Sequence, residues 1–131
     1  MLAGLISITA ASANVSLWSA GIIGMIGSLI YTSTKKVIER YEIDDPLDNA
    51  EIHGFCGLWS LIAVGMFDIN QGLLYTGDIN FLGIQIFGAF AYSFWSLLLS
   101  FIFFYSLKQN QRLRCKAIYE IVGQDLMKNL S

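Results

Sequence analysis

Three apolar runs, each long enough to cross a bilayer and each bounded by polar or charged residues, leave this chain few folds to choose from. They lie at residues 15–34, 50–69 and 79–107. A helix rises about 1.5 Å per residue, so about 20 residues span a hydrocarbon core of about 30 Å. The third run holds 29 residues, or roughly 43 Å of helix, and must tilt or protrude. Only 14% of the 131 residues are charged, against about 25% in a soluble domain. The expected class is all-α: a multi-pass membrane protein with three full transmembrane helices. The formal net charge of -2 gives no basis for a nucleic-acid partner.

The placement of the cations orients the spans. Lys35, Lys36 and Arg40 follow the first run, and Lys108, Arg112, Arg114 and Lys116 follow the third. The connection from Asp68 to Asp78 has no Lys or Arg. The positive-inside rule puts both basic regions in the cytoplasm and the Asp68–Asp78 loop outside, with residues 108–131 as a cytoplasmic tail. Residues 1–13 are apolar and small, lack a basic leader segment and are too short to span. They read as the end of a preceding, truncated span, and the chain reads as the C-terminal piece of a larger protein.

Helices in lipid associate where small residues let backbones approach. Ala20, Gly24 and Ser28 stand at four-residue spacing in the first run, with Gly21 and Gly27 nearby; Gly54, Gly57 and Gly65 mark the second, and Gly83 and Gly88 the third. So much glycine predicts several close neighbours. Phe87, Phe90, Phe94 and Phe101 share roughly one face, expected to meet lipid or another helix. Trp18 and Tyr75 are placed as interfacial anchors. Cys56 and Cys115 fall at different depths, so neither a disulfide nor a thiolate metal site is expected.

The run Asp44-Asp45-Pro46-Leu47-Asp48 reads as a helix start. Asp45 suits the cap, Pro46 the first helical position and Asp48 the third. These carboxylates favour the positive end of the helix dipole. Asp44 is expected to pair with Arg40 or Lys36. Paired carboxylates could hold a metal, but nothing else in the sequence supports one.

His53, the single histidine, stands roughly 10 Å beyond that start. A titratable group inside a membrane span marks a solute or proton pathway by default. Asn49, Ala50, Cys56, Gly57 and Ser60 are its expected near-face neighbours, small or mildly polar. A neutral imidazole carries one donor and one acceptor, so it can take a proton from a cationic solute or bind a neutral one. The alternative is a buried, satisfied histidine. Glu51 is expected to face the vestibule or a cytoplasmic partner.

The string DDPLDNAEIHGFCGLW, Asp44 to Trp59, resembles the segment of ammonium transporters (the Amt/Mep/Rh superfamily) that reads roughly DDPLDAxxVHGxCGxWG. The likeness extends to AGLISITAAS from Ala3, GLLYTG from Gly72, LGIQIFG with Trp95-Ser96, and LRCKAIYEIVGQDL from Leu113. It covers nearly the whole chain in order. The resemblance implies an eleven-span fold that assembles as trimers with a hydrophobic pore through each subunit, this chain holding the last three spans and the end of the eighth. It implies that His53 is the second of two pore histidines and helps deprotonate ammonium, and that Gly123 and Asp125 dock the tail against cytoplasmic loops. Asp44, Asp45, Pro46 and Asp48 would cap and support the pore helix, and Gly54 and Gly57 would pack it closely. Departures are Thr76, Ser60 and Gln124 where glycine, glycine and leucine are usual, a missing terminal His-Gly, and Ala50-Glu51 before the histidine.

The expected function is passage of ammonium or ammonia through that pore, as part of a full-length subunit in a homotrimer of the plasma membrane. The alternative is a truncated membrane fragment that transports nothing and associates with or regulates full-length trimers. No nucleophile–base pairing, phosphate loop or metal cluster is apparent in the sequence. Neither an enzyme nor a cofactor is expected.

Overall fold

The computed structural model describes residues 1–110 and is helical throughout its regular elements. The elements are α1 (Leu2–Ile8), α2 (Leu17–Arg40), a π-helical segment (Ala50–Phe55) running into α3 (Cys56–Phe67), a short α4 (Leu73–Thr76) and α5 (Ile79–Gln109). Three helices, Leu17–Arg40, Ala50–Phe67 and Ile79–Gln109, are long and apolar enough to cross a membrane. The chain divides into two compact units, Met1–Ala91 and Tyr92–Ser131.

Helix α2 begins where Ser16, in an extended conformation, accepts the Ser19 N–H at 3.2 Å, an N-cap that satisfies an otherwise orphaned donor. The helix runs past the expected end at residue 34 and carries Lys35, Lys36 and Arg40 in its last turns. Long basic side chains are good helix formers and suit a helix C-terminus. Its hydroxyls burden no apolar surroundings: Ser28, Thr32, Ser33 and Thr34 each donate to the carbonyl four residues back.

Helices α2 and α3 are antiparallel, and two side chains of α3 lock their register. Cys56 Sγ donates to the Gly27 carbonyl at 3.4 Å, and Trp59 Nε1 to the Ile23 carbonyl at 3.1 Å. The buried positions of α2 are Ser19, Ile23 and Gly27. Helix α1 lies against both. Gly4 and Gly24 approach backbone to backbone, and a Cβ on Gly4 would stand 3.3 Å from the Gly24 carbonyl. A Cβ on Gly27 would collide with the Ser7 side chain. The core holds Ala11, Ile23, Ala63 and Phe67, with Ile8, Val15, Trp59, Val64 and Met66 packed against it.

The small-residue expectation holds for Gly24, Gly27 and Ser28, which face α1, and for Gly65, where a Cβ would stand 2.8 Å from Leu82 Cα. Among the described residues nothing lies within 4 Å of a Cβ added at Gly54 or Gly57, which lie away from α1 and α2.

The loop after α3 is tied down by buried Asp68. Its Oδ1 accepts the Asn70 and Gln71 N–H groups at 2.8 and 2.9 Å, and Ile69 N–H donates to the Asn14 carbonyl. Gly77 closes α4 at φ 73°, a left-handed cap that glycine adopts without strain. Asp78 then accepts the Asn80 N–H at the start of α5. Within α5, Ala89 is buried, and Phe87, Phe90, Phe94 and Phe101 are exposed. In the second unit Phe101 and Tyr105 stack at 5.9 Å between centroids.

Candidate functional site

The acidic turn folds in a different register from the expected one. Pro46 and Leu47 form a turn, Asp48 adopts φ 53°, and helical structure begins at Asn49. Aspartate tolerates the left-handed region better than most residues, so the chain folds back at Asp48 before the helix starts. Pro46 therefore precedes the helix rather than opening it, and Asp48 is not its third residue. The cap comes from further back: Asp45 Oδ2 accepts the Ala50 N–H at 2.7 Å. That bond, and then the Asn49 N–H, hold the Asp45 carboxyl below the usual carboxylate range.

Asp48 instead ties the turn to α2. Tyr31 OH donates to Asp48 Oδ2 at 2.7 Å, and Lys35 Nζ reaches Oδ2 at 2.8 Å and Oδ1 at 3.1 Å. Lys35 first, then Tyr31, hold the Asp48 carboxyl below its ordinary range. The ion pair expected of Asp44 is thus formed by Asp48 with Lys35, and Asp44 is exposed. Tyr31 and Lys35 stand four residues apart, one helical turn, and that spacing turns both toward Asp48.

The π-helical segment decides which way His53 faces. Cys56 N–H bonds the Glu51 carbonyl, five residues back. This wider turn puts Glu51 on the face of Cys56, where α-helical geometry would put Ile52 or His53. Glu51, Cys56, Ser60, Ala63 and Phe67 are buried in line. His53, Gly54 and Phe55 are exposed on the other side.

Two expectations are corrected by this. Cys56 and Ser60 do not flank His53: Cys56 bonds the Gly27 carbonyl, and Ser60 Oγ accepts the Ala10 N–H at 2.9 Å. Glu51 does not face a vestibule but is 1% exposed. Among the described residues no group of three or more His, Cys, Asp or Glu side chains could hold a metal. Cys115, Gly123 and Asp125, and the tail beyond residue 110, lie outside the described residues.

What remains on the outward face is a lone imidazole beside two glycines on an apolar helix, following an acidic turn braced from α2. The model of the Ammonium Transporter Family matches residues 1–129. The chain belongs to that family. It is similar to Ammonium transporter 3 of Dictyostelium discoideum, with 34% identity over 95% of this chain and 32% of the relative. It is also similar to Ammonium transporter Amt2 of Archaeoglobus fulgidus, with 33% identity over 95% of this chain and 29% of the relative. Ammonium transporter 1 member 1 of Arabidopsis thaliana is 29% identical over 98% of this chain and 28% of its own length. The chain thus spans about a third of the length of the curated relatives it matches. No solved structure matches. Family and apolar helices together make this a multi-pass membrane protein.

Proposed function

We propose that these spans line part of a hydrophobic pore for ammonium or ammonia, with His53 on its wall as a proton-handling imidazole. The observation that carries this reading is the outward direction of His53. The opposite face of the same helix is packed on α1 and α2, while the His53 face, with Gly54 and Gly57, is open. A neutral imidazole there has one donor and one acceptor to offer a solute. Gly54 and Gly57 give the face no side-chain relief, so further helices of a complete transporter can approach closely.

In this reading residues 1–131 are the C-terminal part of one transporter domain, residues 1–13 closing a preceding span. The tail faces the cytoplasm of a plasma membrane, and complete subunits form a homotrimer. Asp45 and Asp48 support the pore helix through the Ala50 cap and the Lys35 pair, with Asp44 and Pro46 in the turn they stabilise. Gly123 and Asp125 serve tail docking. The chemistry is transport, not catalysis of a covalent step.

The test replaces the matching segment of the Archaeoglobus relative with residues 1–129 of this chain and measures methylammonium uptake in cells. Uptake by the chimera, greatly reduced by His53→Ala with membrane insertion unchanged, is the expected outcome. Unchanged uptake by the His53→Ala chimera would remove His53 from the pore wall.

The second reading is a membrane fragment that transports nothing itself and associates with or regulates complete transporters. Co-expression with an intact relative would then change that relative's uptake.

A further inference from the structure

One row of residues on α2 holds the helix of His53 on both sides of its π turn. Ile23, Gly27, Tyr31 and Lys35 stand four residues apart, and such positions share one face of an α-helix. The first two hold α3: the Gly27 carbonyl accepts from Cys56 Sγ at 3.4 Å, and the Ile23 carbonyl from Trp59 Nε1 at 3.1 Å. The last two hold Asp48: Tyr31 OH donates to Oδ2 at 2.7 Å and Lys35 Nζ at 2.8 Å. Between Asp48 and Cys56 lies the π segment, Ala50–Phe55.

A π turn closes on the residue five back, an α turn on the residue four back. To become α-helical, the chain ahead of Cys56 must step by one residue, a rotation of about 100° and an advance of about 1.5 Å. Asp48 cannot make that step while Tyr31 and Lys35 hold it. The anchor at Cys56 is buried; the anchor at Asp48 is about a third exposed and is the easier to release.

The side chains between the anchors do not by themselves favour the π turn. Glu51 fills the buried place in line with Cys56, and its Oε2 has no hydrogen-bond partner among the described residues, a costly state for a buried polar atom. Its apolar neighbour Ile52 is only half-buried. In an α register Cys56 N–H would bond the Ile52 carbonyl in place of that of Glu51. Each residue ahead of it would then take the place of the one before. Ile52 would fill the dry position, Glu51 would leave it, and His53 would turn from the open face into the place of Ile52.

We propose that Tyr31 and Lys35 are positioning residues for His53: their hold on Asp48 keeps the extra residue in the π turn and the imidazole on the open face. They act on His53 through Asp48 and the backbone. The effect on transport rests on the pore reading; the direction of His53 does not.

The test is solid-state NMR of the full chain in lipid bilayers, with Cys115→Ser so that the cysteine label is unique. It reads carbon–nitrogen contacts of the Cys56 amide nitrogen with carbonyl carbons labelled in glutamate or in isoleucine. In the otherwise unmutated chain the glutamate contact should be the stronger. In Tyr31→Phe/Lys35→Met the stronger contact should pass to isoleucine, while Lys35→Arg, which keeps the cation, should retain the glutamate contact. If the double variant fails to insert, Asp48→Gly decides, because glycine keeps the left-handed backbone without strain and removes the carboxylate; transfer to isoleucine is again expected. A glutamate contact that persists once the anchor is gone overturns the proposal, as does a dominant isoleucine contact before any anchor is removed. Methylammonium uptake by the chimera, measured on the same variants, separates this inference from the pore reading. A contact that has moved with uptake falling toward the His53→Ala level supports both. A contact that has moved with uptake unchanged defeats the pore reading and leaves the positioning of His53 standing.

Discussion

Lys35 and Asp48 meet at 2.8 Å, joining the last turns of α2 to the residue just before the helix of His53. The contact spans a turn in which Glu42 and Asp48 both adopt positive φ. The two side chains are about a third exposed, so the contact contributes local order rather than a large share of global stability. Lys35→Met is expected to speed amide exchange at residues 48–52 while leaving the thermal transition nearly unmoved. Hydrogen exchange read by mass spectrometry checks both.

The same turn carries a pH dependence of defined sign. Lys35 and then Tyr31 lower the Asp48 carboxyl, and the Ala50 and Asn49 N–H groups lower that of Asp45. A group lowered in the folded state stabilises fully above its unfolded value, about 3.9 for aspartate. That contribution disappears as the pH falls through the lower folded value. Amide exchange in the turn should therefore be steady above about pH 5 and accelerate below about pH 4. In Lys35→Met that acid transition should shift upward.

Gly27 and Gly54 should separate cleanly. A methyl on Gly27 meets the Ser7 side chain, and overpacking of this kind costs typically about 1–3 kcal/mol. Gly54 has open space, and alanine is the better helix former by up to about 1 kcal/mol. Gly27→Ala should lower the unfolding midpoint of the chain in detergent, and Gly54→Ala should leave it level or raise it.

Ser60→Ala removes the acceptor of the Ala10 N–H from a buried position. The bond is only part-buried, so its loss costs about 0.5–1.5 kcal/mol. Loosening of the α1–α3 contact, read as faster proteolysis of residues 1–14, is the expected outcome. Ser60→Thr, which keeps the oxygen, should protect better than alanine.

Expressed alone, this chain is expected not to restore growth of ammonium-uptake-deficient cells on low ammonium. Three spans leave the His53 face uncovered by any described residue, and a pore needs walls on every side. Restored growth would show that copies of the chain enclose a path by themselves.

The sequence by itself determined the spans, because hydrophobic length and the placement of Lys and Arg report directly on what lipid and water accept. Ala50–Phe67 and Ile79–Gln109 lie close to where apolar runs begin and end. The acidic turn and His53 were legible through the ordered string from Asp44 to Trp59. The direction of each side chain was not. A helix apolar on all sides has no amphipathic stripe to tell its packed face from its open one, so Cys56 and Ser60 read as neighbours of His53. Only tertiary structure turned them inward, onto Gly27 and Ala10. Likewise, Asp48 had the composition of a helical third residue. Its reach to Lys35 and Tyr31, thirteen and seventeen positions away, accompanied a left-handed backbone and a later helix start. The π turn then buried Glu51 and left His53 exposed, because one five-residue hydrogen bond rotates every side chain before it. Local sequence patterns do not encode that rotation, which depends on contacts made by another helix.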